Sequence, residues 1–422
     1  MVTSLIVLLG LIALLWLWLL ISPAHRATIA DCLNSSAPIA LANDALPPVV
    51  VIVAARNEAA MLPKTIPTIC RQDYPNFRVI LIDDQSEDQS PRLIEQLCLE
   101  HPNLTAIRAP DRPSGWMGKC WAIQQGVEHW KTLHSSVSTS NDLLLFTDAD
   151  SLFHPLAVKQ AIAHLLDRKL DMLSLIPRCI CVGPVEIIGV AGLMSILTQI
   201  FPLGWVNDPK KKSAALACGA FILVRREPYE AIGGHTSVRS EMIEDVNLAR
   251  NLKRSGAIIG LRNTRDLISG RMYEGFSDLW EGLTKNAYAG MEYQPRKLWV
   301  GLLVGMLVAV LPPFYFLGAL IWALRSNAAA AWVSCGLALV INVSMICIHA
   351  RGMRPLRLPQ FYALTLPLSV AFYNLIAIES ARQHHFGGGN TWKGRTYDRN
   401  MLTAAGSNTE TQCHDDTTQV IV

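Results

Sequence analysis

The sequence predicts an α/β protein with a doubly wound, mostly parallel sheet, an N-terminal membrane anchor and C-terminal transmembrane helices. Three observations support this fold class. Short apolar runs alternate with helical stretches between residues 48 and 290, as in parallel sheets. An uninterrupted apolar run at residues 4–21 is long enough to cross a bilayer. Long apolar segments return after residue 298.

The strands of the sheet are predicted from short continuous apolar runs, which are typical of strands buried on both faces. These runs are residues 49–53, 78–82, 104–108, 143–146 and 215–224. Helices are expected between them, one of them beginning at Ser90-Pro91. Because crossovers between parallel strands are right-handed, the polar turns that follow these strands should lie along one edge of the sheet.

Two carboxylates, Asp148 and Asp150, follow the strand at 143–146 with one residue between them. Ligands of open α/β sheets bind at the carboxyl ends of strands. Hard oxygen donors suit Mg²⁺ or Mn²⁺, which bind one or two carboxylates together with substrate phosphates. We therefore expect a divalent cation and a nucleotide diphosphate here, the alternative being an ordinary polar turn.

Other polar residues are expected near this edge. Asp83 and Asp84 follow a neighbouring strand and are suited to accept hydrogen bonds from a base or ribose. Arg56 is predicted to stack on the base, and Lys119 to neutralise phosphate charge. Asp245 is the candidate general base, although acids at a helix start are also favoured by the helix dipole alone.

Composition excludes several classes of function. The chain is 51% hydrophobic and 17% charged, with a net charge of +3, so no nucleic-acid partner is expected. Its ten cysteines include no Cys-x-x-Cys pair, which argues against a zinc site or a disulfide framework.

The predicted domain organisation has five parts. These are an anchor at 1–22, a linker at 23–47, a catalytic domain at 48–290, two or three transmembrane helices at 296–380, and a basic, then polar tail at 381–422. The apolar segments of the fourth part are residues 298–324, 329–348 and 361–378.

Positive charges predict the orientation. Basic residues at 296–297 and at 351, 354 and 357 flank the apolar segments, so both places should face the cytoplasm. We therefore expect a multi-pass protein of the cell (inner) membrane, with its catalytic domain in the cytoplasm. The tail is also basic, and Pro367 and Asn374 leave a re-entrant path for the last segment open.

Four motifs in this order resemble family 2 glycosyltransferases of the GT-A fold. They are Ala54-Ala55-Arg56-Asn57-Glu58, Asp83-Asp84-x-Ser86-x-Asp88, Asp148-x-Asp150 and Glu244-Asp245. Two further stretches look like hopene-associated glycosyltransferases and related carotenoid or ceramide enzymes. These stretches are Gly115-x-x-Gly118-Lys119-x-x-Ala122 and Trp392-Lys393-Gly394-Arg395-x-Tyr397.

The resemblance implies an inverting, metal-dependent transfer of one sugar from a UDP-sugar to a hydroxyl of a membrane lipid such as a hopanoid, carotenoid or sphingolipid. It implies Asp148 and Asp150 as ligands of Mg²⁺ or Mn²⁺. It also implies Asp245 and Glu244 as catalytic residues, with Asp245 as the base. The implied donor-binding residues are Ala55, Arg56, Glu58, Asp83, Asp84, Lys119 and Asp148.

Alternatives stay open. Processive polysaccharide synthases of the family carry a Gln-x-x-Arg-Trp motif, which is missing after Asp245 and weakens that alternative. A polyprenyl-phosphate glycosyltransferase would need a basic pocket, which Lys210, Lys211 and Lys212 could supply. A transporter and a nucleotide-binding scaffold are the non-enzymatic alternatives. Arg56 stands where many relatives have an aromatic residue.

Overall fold

The computed structural model describes residues 2–25, 32–37, 46–133, 142–386, 390–392 and 395–397. These residues form two compact units. The first unit takes its residues from 1–31, 179–205 and 272–382, and the second from 32–178, 206–271 and 383–422. The stretch predicted as one catalytic domain, 48–290, therefore contributes to both units. The predicted polar tail beyond residue 397 lies outside the described residues.

The described strands have the following bounds: β1 (Cys32–Leu33), β2 (Val49–Ala55), β3 (Phe77–Asp83), β4 (Leu104–Arg108), β5 (Leu143–Asp148), β6 (Leu152–Phe153), β7 (Met172–Ile176), β8 (Arg178–Cys179), β9 (Ile222–Arg225), β10 (Ile259–Thr264), β11 (Ile268–Gly270), β12 (Asn390–Trp392) and β13 (Arg395–Tyr397). Eight of them form one sheet in the order β1-β10-β7-β9-β5-β2-β3-β4. Only β9 in this sheet is antiparallel to its neighbours, so the predicted mostly parallel α/β fold is confirmed.

The described α-helices have the following bounds: α1 (Val2–Ile21), α2 (Leu62–Cys70), α3 (Ser90–Glu100), α4 (Gly118–Leu133), α5 (Ala157–Asp167), α6 (Pro184–Ile200), α7 (Leu203–Val206), α8 (Arg226–Ala231), α9 (Glu244–Arg254), α10 (Gly275–Ala287), α11 (Pro295–Gly305), α12 (Pro312–Ser326), α13 (Ala329–Met353) and α14 (Leu366–Phe386). A π-helical turn, Met306–Val310, joins α11 to α12, and 3₁₀ turns cover Gly234–Val238, Ala289–Met291 and Gln360–Thr365.

Strand β2 lies at the centre of the second unit. Its residues are almost wholly buried, as the run of valines and isoleucine predicts. In its register Ala55 pairs with Asp83 of β3, and Ala54 pairs with Asp148 of β5. The three strands therefore end level with one another, and the predicted convergence of their polar turns on one edge of the sheet is observed.

Two segments of this unit differ from the prediction. The strand expected at 215–224 begins only at Ile222, because the chain turns at Gly219 and the Phe221 N–H donates to the Cys218 carbonyl at 3.1 Å. The stretch expected as a linker contributes β1, which pairs with β10, and Ser35 just beyond β1 hydrogen-bonds Asp266. Short-range patterning missed β1 because its pairing depends on partners distant in sequence.

The first unit contains the apolar helices. Three helices are long and apolar enough to cross a membrane: Val2–Ile21, Ala329–Met353 and Gln360–Phe386. Helices Pro295–Val310 and Pro312–Ser326 pass the same test only as a pair, bent by 44°. The segment predicted at 298–324 is therefore broken next to Pro312, since proline cannot donate a helical hydrogen bond.

Helix α14 runs without interruption through Pro367 and Asn374, the two residues that left a re-entrant path open. Pro367 occupies the first turn, where a missing N–H disturbs no helical hydrogen bond. Close packing fixes the helix against α6: a Cβ on Gly192 would lie 2.5 Å from Cβ of Ser369, whose hydroxyl donates to the Ile188 carbonyl at 2.9 Å. Small residues thus allow close approach of apolar helices.

Candidate active site

The last residue of β5 is Asp148, and the chain turns immediately after it. Helix α2 holds this turn, because the Thr65 hydroxyl donates to the Ala149 carbonyl at 2.6 Å. Asp150, the second acid of the motif, lies at the end of the turn and is partly buried. The turn is therefore fixed by the protein before any ligand binds.

Lys119 joins the strand end to a helix start. Its Nζ lies 2.6 Å from Oδ1 of Asp148 and 2.7 Å from Oε1 of Glu244, at the beginning of α9. A Cβ on Gly219 would lie 2.8 Å from this Nζ, so a side chain at position 219 would displace the ammonium group from its present position. Lys119 and Glu244 lie more than a hundred positions apart along the chain, and the fold brings them into direct contact.

Asp245 belongs to the same cluster. Its Oδ2 accepts a hydrogen bond from the Gly219 N–H at 2.9 Å, and its Oδ1 accepts one from the Val246 N–H at 2.8 Å. Burial and the neighbouring Glu244 raise the pKa of Asp245 to about 6, while Lys119 and the two backbone N–H groups oppose the rise. The carboxylate is thus suited to accept a proton near neutral pH.

The charges of the cluster do not balance. Burial alone would lower the pKa of Lys119, but Asp148, Glu244 and Asp245 outweigh it and raise the pKa well above its usual value. One ammonium group therefore faces three acids. No group of three or more His, Cys, Asp or Glu side chains forms a complete metal site among the described residues. Excess negative charge and oxygen donors nevertheless fit Mg²⁺ or Mn²⁺ that takes its other ligands from phosphates and water.

Asp83 lies at the end of β3 and is 4% exposed. Its Oδ1 accepts the Ser86 N–H at 3.0 Å. Its Oδ2 has no hydrogen-bond partner within the described part of the chain, although Nε of Arg108 lies 3.7 Å away. The Ala55 carbonyl accepts the N–H of the next acid, Asp84, at 2.8 Å. A buried acceptor with spare capacity is thus available at this edge.

Arg56 is buried beneath the turn that follows β3. Its guanidinium donates to the carbonyls of Asp84 at 2.8 Å and Gln85 at 2.7 Å, and it contacts Glu87 at 3.1 Å. Stacking on a base, which the sequence predicted, would require Arg56 to leave these carbonyls. The adjoining turn is tied to the same loop, since the Glu58 N–H donates to the Ser90 hydroxyl at 2.9 Å.

Sequence reasoning missed Gly219 and Thr65, which carry no motif of their own. A buried histidine, His235, lies beside the cluster. In the structure Nδ1 of His235 lies 2.8 Å from the Tyr229 hydroxyl, and the ring packs edge-on against Phe146. Burial and the nearby Lys119 lower the pKa of His235 to about 3, so its imidazole is neutral beside the cluster.

The sheet order and the acid-lined strand ends define a GT-A-type fold. A solved mannosyltransferase, PcManGT from Pyrobaculum calidifontis in complex with GDP-Man and Mn²⁺, matches with a TM-score of 0.51 and 16% identity, covering 92% of this chain and 99% of that one. Residues 50–233 match the family described as Glycosyl transferase family 2. The chain thus carries a family 2 glycosyltransferase domain, which confirms the resemblance seen in the motifs.

Named relatives support the same class. The 4,4'-diaponeurosporenoate glycosyltransferase of Staphylococcus haemolyticus (strain JCSC1435) is 26% identical over 243 residues, spanning 57% of this chain and 61% of the relative. The enzyme of that name from Staphylococcus aureus (strain USA300) is 26% identical over 360 residues, spanning 82% and 87%. Glu244 and Asp245 lie beyond the stretch that matches the family.

Proposed function

We propose that this protein transfers a single sugar from a UDP-sugar to a hydroxyl of a membrane lipid, with inversion at the anomeric carbon. The observation that carries the proposal is the convergence of Asp148, Glu244 and Asp245 on Lys119 at the carboxyl edge of the sheet. The family 2 domain supplies the class of reaction, and the buried acids supply groups that can perform it.

The donor is assigned to the strand ends. Oδ2 of Asp83, which accepts no hydrogen bond within the described residues, is assigned to accept one from the base, beside the turns that carry Ala55, Glu58 and Asp84. Arg56 supports these turns from below. Mg²⁺ or Mn²⁺ on Asp148 and Asp150 would offset the negative charge that develops on the diphosphate as it leaves.

Asp245 is assigned as the general base. In the reaction its carboxylate takes the proton of the acceptor hydroxyl, whose oxygen forms a bond to the anomeric carbon as the bond from that carbon to the diphosphate breaks. Hydrogen bonds from Gly219 and Val246 fix the orientation of the carboxylate. Glu244 holds Lys119 next to it, which keeps a positive charge close to the phosphates.

The acceptor is assigned to the lipid class. Three helices long and apolar enough to cross a membrane support an acceptor that is reached from the bilayer. The relatives are named for a 4,4'-diaponeurosporenoate acceptor, which agrees with a hopanoid, carotenoid or sphingolipid here. We assign the protein to the cell (inner) membrane, with the catalytic unit in the cytoplasm, from the basic residues flanking the apolar helices.

The test uses membranes that contain the full-length protein, labelled UDP-sugars and mass spectrometry of the extracted lipids. A labelled lipid carrying one sugar is expected. The Asp245→Asn variant should lower the rate by about 100- to 10,000-fold while retaining donor affinity, because general-base catalysis supplies that factor. Asp167→Asn, at an exposed helix end, is the matched control and should behave as the wild type.

Three results would contradict the proposal. Label confined to polyprenyl phosphates would point to the alternative acceptor, and label in a polymer would point to a synthase. Near-normal turnover of Asp245→Asn would remove this residue as the base.

A further inference from the structure

We infer that Lys119 occupies the cation position of the site in the donor-free protein, and that it must move from Asp148 to the donor phosphates when a divalent cation binds. The inference rests on the proposed function. It concerns the order of events at the site, and it assigns to Lys119 a positioning role in addition to phosphate binding.

The contacts of Lys119 support this role. Its ammonium group bridges carboxylates from two elements, the end of β5 and the start of α9, at 2.6 Å and 2.7 Å. These are short, charge-assisted contacts. Oδ1 of Asp148 is therefore already bound to a positive group. A divalent cation approaching the same oxygen meets that group at close range, where like charges repel strongly.

The surroundings of Lys119 permit the movement. Its side chain is 24% exposed, so it is accessible from the open side of the site. Lysine has a flexible stem and three donors that can turn to new acceptors.

Two consequences distinguish this exchange from a purely structural ion pair. The affinity for the cation is lower when no nucleotide-sugar is bound, because the ammonium group of Lys119 must then stay unpaired near the bound ion. Cation and donor then bind cooperatively, because the donor phosphates accept the displaced ammonium group, and such coupling is reciprocal. If Lys119 only linked α9 to β5 through its ion pairs, its removal would lower the stability of the protein but would not raise the affinity for the cation.

The test measures Mn²⁺ affinity of the full-length protein in detergent, from the electron paramagnetic resonance signal of free Mn²⁺, with and without UDP. Lys119→Met should bind Mn²⁺ roughly tenfold more tightly than the wild type without UDP, since one competing positive charge is gone. The strengthening of Mn²⁺ binding by UDP should also shrink. Lys119→Arg keeps the charge and should stay near the wild type. Lys159→Met removes a lysine that is 27% exposed and paired with Asp73, and it is the matched control.

Unchanged or weaker Mn²⁺ binding by Lys119→Met would overturn the inference and leave the proposed function intact. Absence of Mn²⁺ binding in every variant, even with UDP, would overturn both. Should Lys119→Met not fold, amine labelling of Lys119 in the unaltered protein decides the question, with peptide mass spectrometry as the readout. Mn²⁺ alone should speed labelling and Mn²⁺ with UDP should suppress it, whereas equal rates would contradict the exchange.

Discussion

The carboxylate of Asp245 lies beside a second carboxylate, that of Glu244. Burial and Glu244 raise its pKa from 3.8 to about 6, against the opposing effect of Lys119 and two backbone N–H groups. An exposed aspartate would be ionised at pH 5, whereas Asp245 is then mostly protonated. At residue scale, therefore, the environment raises the pKa of Asp245 into the range that suits a general base near neutral pH.

This pKa predicts a pH dependence of the proposed reaction. Because the base must be ionised, kcat/KM should fall about tenfold per pH unit below about pH 6 and level off above it. The profile of kcat/KM against pH from 4.5 to 8, measured with a labelled UDP-sugar, checks this. Affinity for the UDP-sugar over the same range is the control and should not show the same break, because its diphosphate is esterified at both ends and lacks the phosphate group that titrates near pH 6. A profile that stays level down to pH 5 would exclude Asp245 as the titrating group.

At the scale of elements, the break between α11 and α12 is supported by contacts from other helices. The π-helical turn Met306–Val310 disturbs the regular hydrogen bonds of the helix, and the following prolines cannot restore them. The indole N–H of Trp16 in α1 donates to the Val308 carbonyl at 3.0 Å, and Asn342 of α13 donates to the Pro312 carbonyl at 3.1 Å. The contact from Trp16 supplies a donor to the Val308 carbonyl, because the residue four positions later, Pro312, has no N–H to offer it.

Trp16→Phe should therefore destabilise the apolar helices by about 1 kcal/mol, because it removes one interhelical hydrogen bond while keeping most of the packing. Thermal unfolding in detergent measures the change as a lower midpoint. Trp18→Phe is the matched control: Trp18 belongs to the same helix but is 46% exposed, compared with 3% for Trp16. Equal midpoints for the two variants would show that the Trp16 hydrogen bond does not support the bent pair.

At the scale of the whole molecule, the charges between the apolar helices predict an orientation in the membrane. Three arginines follow α13, whereas the link between α12 and α13 holds Asn327 and alanines next to a single arginine. The positive-inside rule then places the end of α13 in the cytoplasm and Asn327 outside. This arrangement requires the bent pair α11–α12 to cross the membrane as one span.

Reporter fusions test the orientation. A reporter enzyme that works only outside the cytoplasm should be active when fused after Asn327. A reporter protein that fluoresces only inside the cytoplasm should fluoresce when fused after Arg357. The physical reason is the cost of moving the arginines across the membrane. The fusion at Arg357 also serves as the expression control. A cytoplasmic signal at Asn327 would mean that the bent pair enters and leaves on the same side.

The sequence by itself determined the fold class, four strands of the sheet (β2, β3, β4 and β5) and the acids at the ends of β3 and β5, whereas β1, β7 and β10 were not predicted. Continuous apolar runs predicted β2, β3 and β5 because strands buried on both faces need such runs. The right-handed crossover rule then predicted one polar edge without any coordinates. The helices long enough to cross a membrane were predicted from length and hydropathy, which are local properties of the chain.

Only the tertiary structure decided which groups meet and what charge they carry. It placed Lys119 between Asp148 and Glu244, turned the guanidinium of Arg56 toward backbone carbonyls, and gave Gly219 a role beside Asp245. It also divided the predicted catalytic stretch between two units. The physical reason is that ion pairing, burial and pKa depend on neighbours distant in sequence, and local periodicity carries no information about them.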